Sequence, residues 1–194
     1  MKDALLVVDV QKDFCLGGSL AVPDGDKVIP ILNRYLQKFH SAHLPIFVSR
    51  DWHPPVTEHF KAYGGVWPPH CVQDTPGAEF HPDLILPKEA VVISKGMDPG
   101  KDSYSAFQAS ANDGTDFSTL LGQRGVQRLF VGGLATDYCV KQSVLDAIRQ
   151  GHEAVVLEDA VRGVEIHPGD SEEAFQEMVR SGAKRVRFQQ VTLR

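Results

Sequence analysis

Six short runs rich in Val, Ile and Leu recur along the chain, separated by segments whose apolar residues repeat every three or four positions. That alternation constrains the fold more than any other feature. Short β-branched runs read as buried strands, and the 3.6-residue period between them reads as helices that carry the chain back to start each strand in the same direction. The expected strands are 4–9, 45–50, 90–94, 128–132, 153–158 and 184–188. A helix starts at about Asp26, with Ile29, Leu32, Leu36 and Phe39 on one stripe. Another follows the fourth strand with Val140, Val144 and Ile148, and Gly151 ends it. A third is capped by Ser171-Glu172-Glu173 and runs through Arg180, with acids in its first turn. The expected fold is α/β: three layers, α/β/α, around a six-stranded, mainly parallel, doubly wound sheet. With 194 residues, one domain over 1–194 accounts for the whole pattern.

In such sheets ligands bind beyond the carboxyl ends of the strands. Asp9 ends the first strand, Asp51 follows the second, Lys95 the third, and Cys139 comes after the fourth. Four chemically capable side chains thus converge on one edge. Each alone has a plain structural role: a turn cap, a loop start, a solvated charge, a small buried residue. As a set they read as a site. Cys139 follows the small-residue turn of Val131-Gly132-Gly133-Leu134-Ala135-Thr136-Asp137-Tyr138-Cys139, where a helix is expected to begin. Free amides and partial positive charge in a first helical turn favour a thiolate and can hold an oxyanion. Asp9 suits the role of base for the thiol and later of acid for a leaving amine, with Lys95 as the cation beside both.

The segment 51–87 is long, Pro-rich and aromatic, more than a plain connection needs, and such loops are usually functional. It holds His53, His59, His70 and His81, four of the eight histidines. Asp51 and His53, two apart in an extended segment, point the same way. His70, held by Pro68 and Pro69, supplies a third ligand. Two histidines and a carboxylate suit one divalent metal ion: zinc first, with iron(II) or manganese as alternatives. His59 is an additional ligand or binds through water, His81 reads as a surface imidazole, and Cys71 is a weaker competitor because its side chain points away from that of His70. Phe14, Trp67, Tyr104 and Tyr138 supply flat walls for a small ring, whereas Phe107 reads as packing.

These segments resemble the nicotinamidase/pyrazinamidase group of isochorismatase-like cysteine hydrolases. The resemblance rests on Asp9-Val10-Gln11-Lys12-Asp13-Phe14, Ser49-Arg50-Asp51-Trp52-His53-Pro54, Trp67-Pro68-Pro69-His70-Cys71, Ser94-Lys95-Gly96 and Gly133-Leu134-Ala135-Thr136-Asp137-Tyr138-Cys139-Val140, in the family's order. It implies an isochorismatase-like fold, catalytic roles for Asp9, Lys95 and Cys139, and metal roles for Asp51, His53 and His70. His59 falls where some members place an extra ligand and others do not. It further implies oxyanion contacts from the amides of Ala135 and Cys139 and a cis peptide between Leu134 and Ala135. Phe14 and Trp67 match the family's aromatic walls. The implied reaction is hydrolysis of nicotinamide, and of its analogue pyrazinamide, within NAD salvage.

Other readings make different demands. A relative acting on ureido or carbamoyl compounds generally needs no metal, so the histidine loop argues against it. Direct attack by water with Cys139 structural predicts no covalent adduct, and a non-catalytic scaffold predicts no ammonia release from any amide. An NAD-binding reading is weak because Gly132-Gly133 lacks the later glycine of a dinucleotide fingerprint. A net charge of -5 gives no global field for nucleic acid or an anionic membrane, and no run approaches the ~20 apolar residues of a membrane span. Met1 to Val10 has no cleavage-type segment, and three scattered cysteines, Cys15, Cys71 and Cys139, read as free thiols in a cytoplasmic protein. The expected partner is a small-molecule amide, and a homo-oligomer is compatible with the sequence.

Overall fold

The computed structural model describes residues 2–194. Six strands, β1 (Lys2–Val8), β2 (Ile46–Asp51), β3 (Val91–Lys95), β4 (Val126–Leu134), β5 (Glu153–Arg162) and β6 (Lys184–Val186), form one sheet in the order β3-β2-β1-β4-β5-β6. Every pairing is parallel. The order reverses between β1 and β4, which opens the crevice where doubly wound sheets bind ligands. The arrangement is the one dinucleotide-binding sheets use, so strand order alone does not distinguish them.

Alternation along β1 divides the core. Leu5 and Val7 face α1 (Ile29–Ser41), whose Ile29, Leu32, Tyr35, Leu36 and Phe39 are buried with Phe130, Val155 and Leu157. Ala4, Leu6 and Val8 face the opposite layer, built from α2 (Phe117–Gln123), α3 (Lys141–Arg149) and α4 (Asp170–Arg180). Three layers result, as the period-2 and period-3.6 patterns require. All three cysteines are free and buried, and among the described residues no helix is long and apolar enough to cross a membrane.

Some expected boundaries shift for physical reasons. The turn at Gly25–Val28 is 3₁₀, and α1 begins only where Pro30 sits in the first turn, a position at which its missing N–H is harmless. The helix beyond Cys139 is preceded by one wide π turn, Thr136–Val140. Ser171 lies inside α4 rather than capping it. The cap position belongs to Gly169 at φ 102, and Asp170, Glu172 and Glu173 fill the acidic first turn. Phe188 leaves β6 and packs its ring edge-on against Tyr35. Gly151 does stand just beyond α3 at φ 87.

One glycine fixes the crevice. The pairing of β4 with β5 shifts between Val131 and Gly133, and Gly133 sits at φ 118 against β1. A Cβ there would lie 2.1 Å from the Val8 carbonyl oxygen, a backbone atom that cannot swing aside. Gly133→Ala is therefore expected to cost on the order of 3 kcal/mol, since strain at a forbidden φ adds to the clash. A fall in the denaturant midpoint at unchanged slope would show it.

Candidate active site

Three strand ends and the π turn bring their side chains together. Asp9, the residue after β1, has φ 50, a left-handed conformation that turns the chain over the sheet edge. Lys95 ends β3 and is fully buried. Its Nζ lies 2.9 Å from Asp9 Oδ2 and 3.5 Å from Cys139 Sγ, and it also donates to Asp51 Oδ1. Ser49 donates to Asp9 Oδ1 at 2.7 Å. Asp9 Oδ2 is paired with the Lys95 ammonium and has no aligned hydrogen bond, and the fully buried carboxylate lies close to the thiol. The peptide between Leu134 and Ala135 is cis, as the resemblance implies.

The charges follow from burial and proximity. Burial raises the Asp9 carboxyl and Asp51 adds to that, with Lys95 and Ser49 opposing. Burial would likewise raise Asp51, but Lys95, His53 and His70 together hold it well below the usual carboxylate range. Burial lowers Lys95, and the two carboxylates outweigh it, so the ammonium keeps its proton. Cys139 is pushed well above an ordinary thiol, first by burial and then by Asp9 and Asp51, against the pull of Lys95. Cys139 stands in a π turn rather than in the first turn of the expected helix, and Asp9 is placed to accept the thiol proton as a carbon–sulfur bond forms.

Beside this group stand three buried histidines. Trp52 turns out under the Arg50 guanidinium, 3.7 Å away, while Asp51 and His53 turn in. His53 Nε2 lies 3.7 Å and His70 Nε2 4.0 Å from Asp51 Oδ2. Ligand atoms of His53, His59 and His70 all fall within 4.8 Å of one another. His53 and His70 donate from Nδ1 to the carbonyls of Gly96 and Pro68, so each Nε2 keeps a bare lone pair, and that of His53 has no partner. Burial lowers His70 to about 4 and lowers His59 as well, which keeps both rings neutral near pH 7. Three converging imidazoles, with the Nε2 of His53 lacking a hydrogen-bond partner, next to an ionised carboxylate fit a divalent cation.

His59, left as an additional ligand by the sequence, belongs to the cluster. His81 does not: its ring accepts from the Asp83 amide on the surface. Cys71 is buried in the α1-side core, with its amide donating to Asp13.

One pocket spans both groups. It is lined by Asp51, His59, His70 and Cys139 and walled by Phe14, Trp67, Tyr104 and Tyr138. Trp67 stands edge-on to Tyr138 and donates to the Tyr104 hydroxyl at 3.0 Å. Phe107 instead packs on Phe117. Leu20, Val22, Leu134 and Val164 complete the apolar lining, and nothing in their spacing marks them. Gln11 is a further residue that sequence reasoning missed. Its buried amide accepts from Asp51 N at 2.8 Å and donates to the carbonyls of Asp51 and Ala78 at 2.8 and 2.9 Å, clasping the metal-side carboxylate by its backbone.

Comparison with known proteins identifies the family. A family model described as "Isochorismatase domain" matches residues 3–190. A nicotinamidase of Escherichia coli (strain K12) is 42% identical, with 93% of this chain and 92% of that one covered. A nicotinamidase/pyrazinamidase of Mycobacterium tuberculosis is also 42% identical, over 83% of this chain and 87% of its own. Among solved structures, a pyrazinamidase of Pyrococcus horikoshii in complex with zinc superposes with a TM-score of 0.89 at 47% identity, covering 97% of this chain and 100% of that one.

Proposed function

The chain belongs to the isochorismatase-domain family, and on that footing we propose that it is a nicotinamidase, a single-domain amidohydrolase releasing ammonia and nicotinate from nicotinamide. The observation that carries the reading is the shared pocket: the thiol and the imidazoles of His59 and His70 line one aromatic-walled cavity suited to a small flat ring. Asp51, His53 and His70, with His59, would hold a divalent cation, zinc by the chemistry of the donors and by the zinc-bound neighbour. When bound, it supplies a Lewis acid for the pyridine nitrogen and so orients the ring.

The remaining steps use the chain's own residues. Phe14, Trp67, Tyr104 and Tyr138 hold the ring and keep water out. Cys139 Sγ adds to the carboxamide carbon as Asp9 takes the thiol proton, and Lys95 steadies the negative charge that moves between them. The tetrahedral oxyanion accepts hydrogen bonds from the amides of Ala135 and Cys139. Asp9 then gives its proton to the departing nitrogen, which leaves as ammonia, and a thioester remains. Water, deprotonated by Asp9, attacks the thioester carbon and expels the Cys139 sulfur, which regains its proton. Pyrazinamide, another flat ring bearing a carboxamide, follows the same course. NAD salvage is the proposed setting of this reaction, and three free thiols support a cytoplasmic location.

A carbamoyl- or ureido-hydrolysing relative would leave the histidine cluster without a task, and the cluster favours the pyridine reading. An ammonia-release assay on nicotinamide, with metal analysis of the same sample, tests it. Ammonia and nicotinate in equal amounts, with a divalent ion bound, are expected. Turnover of carbamoyl or ureido compounds with none of nicotinamide would overturn it.

A further inference from the structure

The three imidazoles of the cluster are aimed in different ways. His53 Nδ1 donates to the Gly96 carbonyl at 3.0 Å and His70 Nδ1 to the Pro68 carbonyl at 2.8 Å. Both acceptors are main chain, built into the turn after β3 and into a proline pair. His59 has no such anchor. Its Nδ1 meets Oδ1 of Asp102, a side chain on the segment that follows β3. His59 is buried, whereas the Asp102 side chain is 59% exposed.

We propose that Asp102 is a positioning residue for the metal centre, turning His59 so that its Nε2 points into the histidine cluster and tying that ring to the pocket rim. The proposal rests on the metal reading above. A carboxylate can only accept here, so the proton stays on Nδ1 and the lone pair on Nε2, and the anion makes the ring a stronger donor to a cation. The position of Asp102 is itself determined. Gln108 Nε2 donates to its carbonyl at 3.3 Å, and the Ser105–Gln108 capping box holds the turn just beyond. Ser103 and Tyr104, the next two residues, line the pocket. The hydrogen bond therefore connects ring-binding rim and metal site in one short segment. Of the three Nδ1 anchors it alone can be removed by a side-chain change, and its removal opens no hole in the core.

A bland alternative exists, in which a contact with an exposed carboxylate contributes little. It predicts no change in metal binding when the carboxylate goes. Full-length Asp102→Ala and Asp102→Asn chains, stripped of metal and titrated with zinc ion against a chromophoric chelator, separate the two. About 10- to 100-fold weaker zinc binding is expected for Asp102→Ala, with a smaller loss for Asp102→Asn, whose amide oxygen still accepts from Nδ1. The d–d spectrum of the cobalt(II)-loaded chain should shift, and the melting point of the metal-free chain should not. Zinc affinities of both variants within about threefold of the parent, with an unaltered cobalt spectrum, would overturn the proposal. If the parent itself takes up no zinc or cobalt, the metal reading falls and this inference goes with it.

Discussion

Cys139→Ala is expected to lower kcat for ammonia release from nicotinamide by roughly 10⁴-fold or more, the scale on which loss of a covalent nucleophile acts. The substitution removes one buried atom, in contact with Lys95 Nζ at 3.5 Å, and leaves the histidine cluster and its Nδ1 bonds untouched. Metal content should therefore match the parent. Steady-state ammonia release and elemental analysis on one preparation decide the matter. A variant that kept substantial turnover would mean that water attacks the amide directly and that the thiol only packs. Rapid acid quench of the parent with substrate, followed by mass spectrometry, should show an acyl adduct on the peptide holding Cys139.

Asp9→Asn is expected to lower kcat by about 10³- to 10⁴-fold, the usual range for a general acid–base. The position suits a clean test. Its φ of 50 is one that Asn tolerates, and the amide oxygen can still accept from Ser49. Charge and proton capacity are lost with little change of shape. As the acceptor of the thiol proton, Asp9 also assists alkylation of Cys139 by iodoacetamide, so turnover and alkylation should both slow while metal content stays at the parental level. A variant that kept parental turnover would end the acid–base role.

Much of this site is readable from the chain because strand ends in a parallel sheet share one edge. Asp9, Asp51 and Lys95 each close or follow an apolar run, and the sheet needs no further information to bring them near each other. The histidines of the loop are legible as a group for the same reason, since Asp51 starts the loop that carries them. What the chain hides are contacts between segments with no local signature. Gln11 reaches Asp51 across 40 positions, and Asp102 reaches His59 across 43. Neither has a period that marks it. Strand pairing is equally silent, so the reversal between β1 and β4 appears only in three dimensions. The π turn escaped because the offset of its hydrogen bonds leaves no trace in side-chain spacing. α2 escaped because seven residues, one of them Gly122, make too short a stripe, although Asp116 accepting from Thr119 N is a cap the sequence offers.

Lys95 touches both halves of the centre, and that has a practical bearing on genetics and biochemistry alike. Its single ammonium is held by Asp9, by Asp51 and against the sulfur. An Asp51 variant is consequently never a pure metal knockout, because it unbalances the counter-ion of the nucleophile in the same stroke. Histidine variants, which leave that ammonium alone, are the cleaner instrument for separating cation loss from thiol damage.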